Sequence, residues 1–518
     1  MPTLRQAVAC VDGERGAQGG MKRVTVIGGG IAGLGAAYEI AKASRSGSDV
    51  EFVLFEKDPR LGGKIFTDRA PDRDGGLYVA DGGSDSFLTE KPAVHRAAAE
   101  LGIADQLCGT LDENKRTFIV KDGRLVELPD GIMMFAPTKI VPLATTRLYS
   151  WPGKIRMALD LVIPRKERWA PGETARDHDE TLESFVVRRM GRECLDRLAE
   201  PLVGGVNGSD PATMSLAATY PNLLEMEQKH GSLIRGFLAQ RKRIEAMRAK
   251  APAGAPRRTF FSSFHGGLQT ITDALADAAG RERIRTGSAA VRVKRTGGGW
   301  RTELEDGTAI DADAVIVATE AWAAAQLAEG IDARIAELVG SIPCSSAATV
   351  VLAYDERDCP FDKRWHGILA PAIERRHVTG ISLMSSKWPD RAPEGTVLLR
   401  GFLGGPRDEG VLEATDQDLI ALAHEELADL LGVRRSATPR YARLFRWPGG
   451  MPEYTLGHLD RVDAIERLES ELRGVAFAGN AYRGVGVPNA LESGQRAARK
   501  VLGDLGVMGA DAQREESR

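Results

Sequence analysis

Val24-Thr-Val-Ile-Gly-Gly-Gly-Ile-Ala-Gly-Leu-Gly35 decides the fold of this chain. Residues 24–27 form a short apolar run suited to a buried parallel strand, and residues 31–43 read as the helix that follows. Between them Gly28, Gly30 and Gly33 stand in G-x-G-x-x-G spacing. Gly28 permits the tight strand-to-helix turn, Gly30 lets a pyrophosphate meet bare backbone, and Gly33 lets the helix pack close to the strand. The amides around Gly29, Ile31 and Ala32 open that helix, where unpaired N–H groups and a partial positive charge face an anion. Residues 49–56 form a second apolar strand ending in Glu56, 23 residues after Gly33. A carboxylate there can accept ribose hydroxyls, and Lys57 follows it directly. The pattern predicts an α/β chain with a Rossmann-like dinucleotide-binding domain.

With 518 residues the chain exceeds what one hydrophobic core usually serves, so two or three domains are expected. Hydrophobic residues make up 43% and charged residues 27%, the balance of an ordinary water-soluble protein. A net charge of −3 gives no global pull toward nucleic acid or acidic lipid. Cys10, Cys108, Cys194, Cys344 and Cys359 are scattered with no C-x-x-C pair, which argues against a disulfide framework or a zinc site and suits a reducing cytoplasm. No run approaches the length of a membrane span, and residues 1–20 lack the apolar core of a secretory signal. Those residues precede Met21-Lys-Arg, itself a natural start, and read as a dispensable extension. Residues 511–518 read as a frayed end.

Further along, Arg60-Leu-Gly-Gly-Lys64 is a turn that can bring Gly63 and Lys64 to a cofactor, and Asp81-Gly-Gly-Ser-Asp-Ser86 precedes a helix carrying Val94, Ala98 and Leu101. Residues 115–250 read as largely helical. Within them Ile155, Ala158, Leu159 and Val162 share one face at i, i+3, i+4, i+7 spacing, near Tyr149, Trp151 and Met133-Met134-Phe135. Ordinary helix packing is the simpler reading of that face; a peripheral-membrane or apolar-substrate surface is the other. Residues 235–258 are basic and read as a solvated helix and linker. Alternating residues return at 289–294 and 300–304 with a turn at Asp306-Gly307, and residues 314–319 form a buried strand. A Thr415-x-x-Asp418 capping pattern opens a helix over 418–431, on which His424 reads as a surface residue.

Val475-Ala-Phe-Ala-Gly479 is another short buried strand, and it runs into Asn480-Ala-Tyr-Arg-Gly-Val-Gly-Val-Pro-Asn489. Gly484 and Gly486 let backbone approach a flat ligand, and Pro488 stiffens the entry to a helix over 489–502. The N-terminus of that helix suits an electron-rich atom, as a flavin presents when reduced.

The glycine fingerprint, Arg60-Leu-Gly-Gly-Lys64 and residues 478–488 together resemble the amine-oxidase-like FAD superfamily. More specific segments resemble the porphyrinogen oxidases of haem biosynthesis, the coproporphyrinogen III and protoporphyrinogen oxidases. These are Glu200-Pro-Leu-Val-Gly-Gly-Val-Asn-Gly-Ser-Asp-Pro211 with Met214-Ser-Leu216, Tyr220-Pro-Asn, Glu227-Gln-Lys-His-Gly-Ser-Leu-Ile-Arg-Gly236, and Phe264-His-Gly-Gly-Leu-Gln269. Trp447-Pro, Met451-Pro-Glu-Tyr454 and Gly457-His458 belong with them. The motifs run in order from about residue 21 to 503.

The resemblance implies non-covalent FAD and no metal. Gly28 to Gly33 would meet the pyrophosphate and Glu56 the ribose. Asp81, Gly82, Gly83 and Ser84 would lie near the flavin, as would Val485, Gly486 and Val487. The first strand after the insertion, about Ala290, would meet the adenine through its backbone. Arg116, in Asn114-Lys-Arg-Thr-Phe118, matches a family arginine that contacts a substrate carboxylate. Gly82-Gly83-Ser84 and Glu320 depart from the family pattern, which often has a bulkier residue and a proline at the first and a proline at the second.

The implied division is a discontinuous FAD-binding domain over 21–90, 258–335 and 470–506, a mainly helical insertion over 91–257, a mixed α+β substrate domain over 336–469, and flexible ends at 1–20 and 507–518. The implied reaction is a six-electron oxidation of a porphyrinogen, with oxygen as acceptor and peroxide as by-product. Hydride would leave a bridging methylene for the flavin as a pyrrole N–H loses its proton, so the protein supplies binding and orientation rather than an acid–base residue. His230 and His265 then read as structural. Residues 140–156 look like the coproporphyrinogen-using bacterial branch. An amine- or carotenoid-type oxidoreductase and a non-catalytic flavin-binding protein are the rival readings. A homodimer, a haem-pathway enzyme partner and contact with the inner face of the cell membrane all stay open.

Overall fold

In a computed structural model, residues 20–204, 208–249 and 259–507 are described. The apolar runs of the opening stretch become strands Lys22–Ile27 and Val50–Phe55, joined by the helix Ile31–Arg45. They pair in parallel within a five-stranded sheet, whose strands run in the spatial order Ile284–Arg285, Val50–Phe55, Lys22–Ile27, Ala314–Val317 and Val475–Phe477. Four separate parts of the chain therefore build one sheet. Its central strands are apolar on both faces because helices cover both. Leu34, Ile40, Val24, Leu54, Leu491 and Val501 fill one side; Val315, Val317, Leu327 and Val462 fill the other.

Register matters more than strand number. Ile27 pairs with Phe55 and Val317, and Val317 pairs with Phe477. All these strands run the same way, so the turns beginning at Gly28, Glu56, Ala318 and Ala478 leave one edge of the sheet at one level. That carboxyl edge is where open α/β sheets take their ligands.

A seven-stranded sheet forms a second layer, built mainly from Cys344–Asp355, Gly367–Leu369, Val378–Leu383, Thr396–Gly404 and Tyr441–Pro452. Its far edge is Thr117–Lys121 with Arg124–Glu127, paired through Gly367–Leu369. The stretch read as largely helical from 115 thus begins as sheet, and its helical part starts near residue 140. Two strands of four or five residues separated by Asp122-Gly123 are too short to display a period against the helical pattern beyond them.

The order of strands before Ala290 differs from the expectation. The first strand after the insertion is Phe261–Phe264, and the one that joins the parallel sheet is Ile284–Arg285. Ala290 opens a separate antiparallel sheet, Ala290–Thr296, Gly299–Leu304 and Ala309–Ala312, with Asp306-Gly307 in its second turn. A two-residue edge strand carries no periodic signal, whereas the three-stranded meander does.

The helix expected over residues 154–162 is Trp151–Ala158 followed by the tight turn Leu159–Leu161. Its apolar face is not packed. Ile155 is 60% exposed, Leu159 42% and Val162 72%, while the buried residues are Lys154, Met157 and Asp160. The Thr415 cap is present: its Oγ1 accepts the Asp418 N–H (3.2 Å) at the start of Asp416–Leu431. The basic helix spans Leu233–Ala249; the linker read at 250–258, the extension at 1–19, Cys10 and the end from 508 lie outside the described residues.

Candidate functional site

The turn after Lys22–Ile27 is shaped by contacts that only glycine permits. Gly28 has φ +107°, and a Cβ there would strike the Ala318 carbonyl. A Cβ on Gly33 would strike the Gly28 carbonyl, and one on Gly494 would strike the carbonyl of Ala32. Gly30 is different: nothing lies within 4 Å of the position its Cβ would take. Two glycines close the turn against the sheet and the third faces open space at the head of Ile31–Arg45. A pyrophosphate fits that cradle, held by the first amides of the helix.

Glu56 stands level with Gly28, only 8% exposed. One carboxylate oxygen accepts the Gly29 N–H (2.5 Å) and the other the Asp58 N–H (2.9 Å). Burial raises its pKa, and those two N–H donors pull the other way. Lys57 lies over the ring of Trp322, 5.2 Å from its centre. Gly62 pairs with Gly30, its N–H donating to the Gly29 carbonyl (2.9 Å), so residues 60–64 are fastened beside the first helix. Gly63 packs on the Gly30 backbone. The Lys64 ammonium is 3.4 Å from Asn480 Oδ1 and 3.9 Å from Glu320. Desolvation lowers its pKa, opposed by Glu320. Glu320, where the family pattern has a proline, thus becomes a counter-ion and opens the helix Ala321–Ala328.

Residues 81–84 run between Lys64 and the seven-stranded sheet. Gly82 abuts the ring of Phe445 and Gly83 the Lys64 carbonyl, each leaving no room for a side chain. A bulkier residue, as relatives often carry here, would need both neighbours to move.

The segment after Val475–Phe477 is held by Tyr454 and His458, which the sequence shows only as parts of a motif. Tyr454 Oη accepts the Gly484 N–H and donates to the Asn480 carbonyl, both at 2.7 Å. His458 stacks on the Tyr454 ring (3.8 Å between centres) and meets the Tyr482 carbonyl through Nε2 at 2.8 Å. Burial pushes the His458 pKa down to about 4, so the ring is neutral and Nε2–H is the donor. Burial also raises the Tyr454 hydroxyl, which keeps its proton. Gly484 (φ +102°) packs on Asn489, whose Oδ1 accepts from Lys91 at 2.6 Å. Gly486 caps a helix over Val487–Leu505, so Val485, Gly486 and Val487 sit at its open N-terminus. The specific 200–216 block reaches this same point: the Ser215 N–H donates to the Tyr454 carbonyl (2.7 Å) and Met214 bridges Thr455. Residues 205–207 of the block lie outside the described residues.

Arg116 lies apart, on the edge of the seven-stranded sheet. Its guanidinium holds Glu127 through Nε (3.0 Å) and Nη2 (2.8 Å), and Asp362 through Nη1 (3.2 Å). His265 pairs with Asp390 on the surface, and His424 bonds Tyr354 Oη and the Arg435 carbonyl. Among the described residues no group of His, Cys, Asp and Glu could hold a metal ion.

A pyrophosphate cradle, a buried acid at ribose distance in sequence and a second helix N-terminus beside a glycine segment define a dinucleotide-dependent flavoprotein. The chain belongs to the flavin containing amine oxidoreductase family, whose model matches residues 31–502. It is an oxidoreductase with FAD as cofactor. It is 31% identical to coproporphyrinogen III oxidase of Bacillus subtilis (strain 168), over 93% of this chain and 98% of that one. It is 32% identical to coproporphyrinogen III oxidase of Propionibacterium freudenreichii subsp. freudenreichii (92% and 90%). Mitochondrial protoporphyrinogen oxidase of Nicotiana tabacum matches at 27% (95% and 97%). A crystal structure of a candidate protoporphyrinogen oxidase from Exiguobacterium sp. 255-15 superposes with a TM-score of 0.79 at 28% identity, covering 94% of this chain and 99% of that one.

Gly30 gives a sharp test of the cradle. The Cβ of Gly30→Val has no protein atom within 4 Å, so the apoprotein should fold with little change in thermal midpoint, yet its side chain extends into the pyrophosphate space. Purified Gly30→Val is expected to be colourless; a yellow protein with full FAD content, read from its visible absorbance, refutes the assignment.

Proposed function

We propose that this protein oxidises a porphyrinogen to a porphyrin in haem biosynthesis, with coproporphyrinogen III as substrate and coproporphyrin III as product. The observation that carries the reading is the junction of the porphyrinogen-oxidase-like block with the flavin segment, through Ser215, Tyr454 and Gly484. The names of the bacterial relatives and the pattern of residues 140–156 favour coproporphyrinogen III over protoporphyrinogen IX.

FAD, when bound, accepts two electrons at a time, and oxygen is the proposed terminal acceptor. This chain's residues bind and orient. Gly28 to Gly33 hold the pyrophosphate and Glu56 the ribose. Residues 63–64, 81–84 and 485–487 surround the ring. Aromatisation of the product drives the reaction, so no side chain has to act as a strong acid or base. Arg116 holds a substrate carboxylate; it already shows the matching geometry by gripping Glu127 with two N–H groups. The exposed apolar face around Trp151, Ile155 and Val162 rests on an anionic membrane surface. It stands beside the basic helix Leu233–Ala249, which packs on Leu159–Leu161, and no helix among the described residues is long and apolar enough to cross a membrane.

Three outcomes are expected. Purified protein should convert coproporphyrinogen III to a fluorescent porphyrin with about three peroxides per porphyrin, the stoichiometry of six electrons taken in pairs; FAD-replete protein that only matches the spontaneous rate refutes the reading. Arg116→Ala should raise KM about tenfold or more, a loss of roughly 1.5–3 kcal/mol, with FAD content unchanged. Steady-state kinetics unaltered by this change remove Arg116 from the substrate site. Ile155→Glu with Val162→Glu should reduce co-flotation with vesicles containing anionic lipid by several-fold without changing FAD content, and equal flotation refutes the membrane contact.

A further inference from the structure

Arg400 sits in the middle of Thr396–Gly404, a strand otherwise apolar on both faces, and is only 3% exposed. Burying a guanidinium is costly unless its donors are used. Nη1 donates to the carbonyls of Asp81 and Gly83, each at 2.9 Å, and Nη2 lies 3.3 Å from Asp85 Oδ1. The carbonyl between them, that of Gly82, accepts from Trp447 Nε1 (3.1 Å) and from Thr349 Oγ1. Three consecutive carbonyls are therefore turned toward the seven-stranded sheet.

Peptide geometry then sets the direction of the amides. No cis peptide bond occurs among the described residues, and across a trans peptide the C=O and N–H point in opposite directions. The N–H groups of Gly83 and Ser84 must then face away from the sheet, and neither has an acceptor among the described residues. Behind the loop the charges do not cancel. Arg391 meets Asp81 at 3.1 Å, Lys387 meets Asp85 at 2.9 Å, and Trp388 Nε1 donates to Asp85 at 3.2 Å. Counting Arg400, three cations stand against two carboxylates, all largely shielded from water.

We infer that Arg400 is a positioning residue for the cofactor: it turns the 82–83 and 83–84 peptides so that their N–H groups face the flavin, and its charge favours the reduced flavin. The inference rests on the reading that residues 81–84 adjoin the flavin. Protein charge and N–H donors near the ring are the means by which a flavoprotein tunes its cofactor. A charge buried in low dielectric acts over the few ångströms of one loop far more strongly than one in water.

The test uses the FAD-bound full chain and reads the flavin midpoint potential by dye equilibration, the visible spectrum and FAD content. Arg400→Met should shift the two-electron equilibrium at least tenfold toward the oxidised form, about 30 mV negative. Arg400→Lys keeps the charge but cannot span two carbonyls and Asp85 together. It should show a smaller negative shift with an altered flavin spectrum, and it serves if the Met variant fails to fold. Ser84→Trp checks the underlying reading by placing an indole on the loop. If Ser84→Trp alters the flavin spectrum while both Arg400 variants keep the wild-type potential and spectrum, Arg400 is only structural and the inference falls. If Ser84→Trp leaves spectrum and occupancy unchanged, the loop does not adjoin the flavin, and the inference falls with that reading.

Discussion

Bare backbone meeting bare backbone at the head of the first helix is the constraint on which the rest depends. Gly28 lies against the Ala318 carbonyl, Gly33 against that of Gly28, and Gly494 against that of Ala32. These contacts join three segments far apart in sequence, and each excludes even a methyl group. Parallel pairing makes the meeting possible. With Ile27, Val317 and Phe477 level, the turns after their strands leave the sheet together. The helix Val487–Leu505 can then lie along Ile31–Arg45 with Gly35 under Leu491. Close packing of this kind is unforgiving of added volume. The open side of Gly30 is informative because every neighbouring approach is closed.

A second set of contacts carries that geometry outward. The Tyr454 hydroxyl is both acceptor and donor to the loop before the closing helix, while its backbone carbonyl takes Ser215. One residue therefore ties the helical insertion to the loop proposed to hold the flavin. Arg483, in that same loop, pairs with Asp463 and Glu466, and Asp463 also pairs with Arg176 from the insertion. These exposed pairs are each worth little, but they act on a loop already fixed by buried hydrogen bonds.

Legibility in the sequence divides by physical type. The strands flanking Gly28, the strand before Asn480 and the capped helix after Thr415 were legible, because burial on both faces, glycine spacing and a capping oxygen are local signals. The edge strand Ile284–Arg285 was not, since two residues have no period, so Ala290 was taken for the first strand after the insertion when two strands precede it. Tyr454 and His458 were visible as a motif without a role, because their partners lie more than twenty residues away in a loop of different character. Arg400 did leave a signal: a lone cation inside Thr-Val-Leu-Leu-Arg-Gly-Phe-Leu-Gly is an anomaly in a buried strand. Its partners, main-chain carbonyls, leave no mark in a sequence.

The apolar face of the insertion failed the ordinary-packing expectation for a reason visible one residue away. At Leu159–Leu161 the usual partition is inverted: Asp160 is fully buried while Leu159 and Leu161 are exposed. Asp160 accepts from Arg189 Nε (2.7 Å), Ser232 Oγ (2.6 Å) and the Ile234 N–H (3.0 Å). Arg189, itself without exposure, spends its remaining donors on the carbonyls of Asp160, Ile163, Pro164 and Gly231. An ion pair removed from water is a poor source of stability, yet breaking it by halves is expensive. Its effect here is orientation, because it anchors both ends of the 160–164 turn and leaves Leu159, Leu161, Val162 and Pro164 exposed. Chance exposure scatters apolar residues singly. Here the buried charge network of Asp160 and Arg189 fixes the turn from which Leu159, Leu161 and Val162 are exposed together.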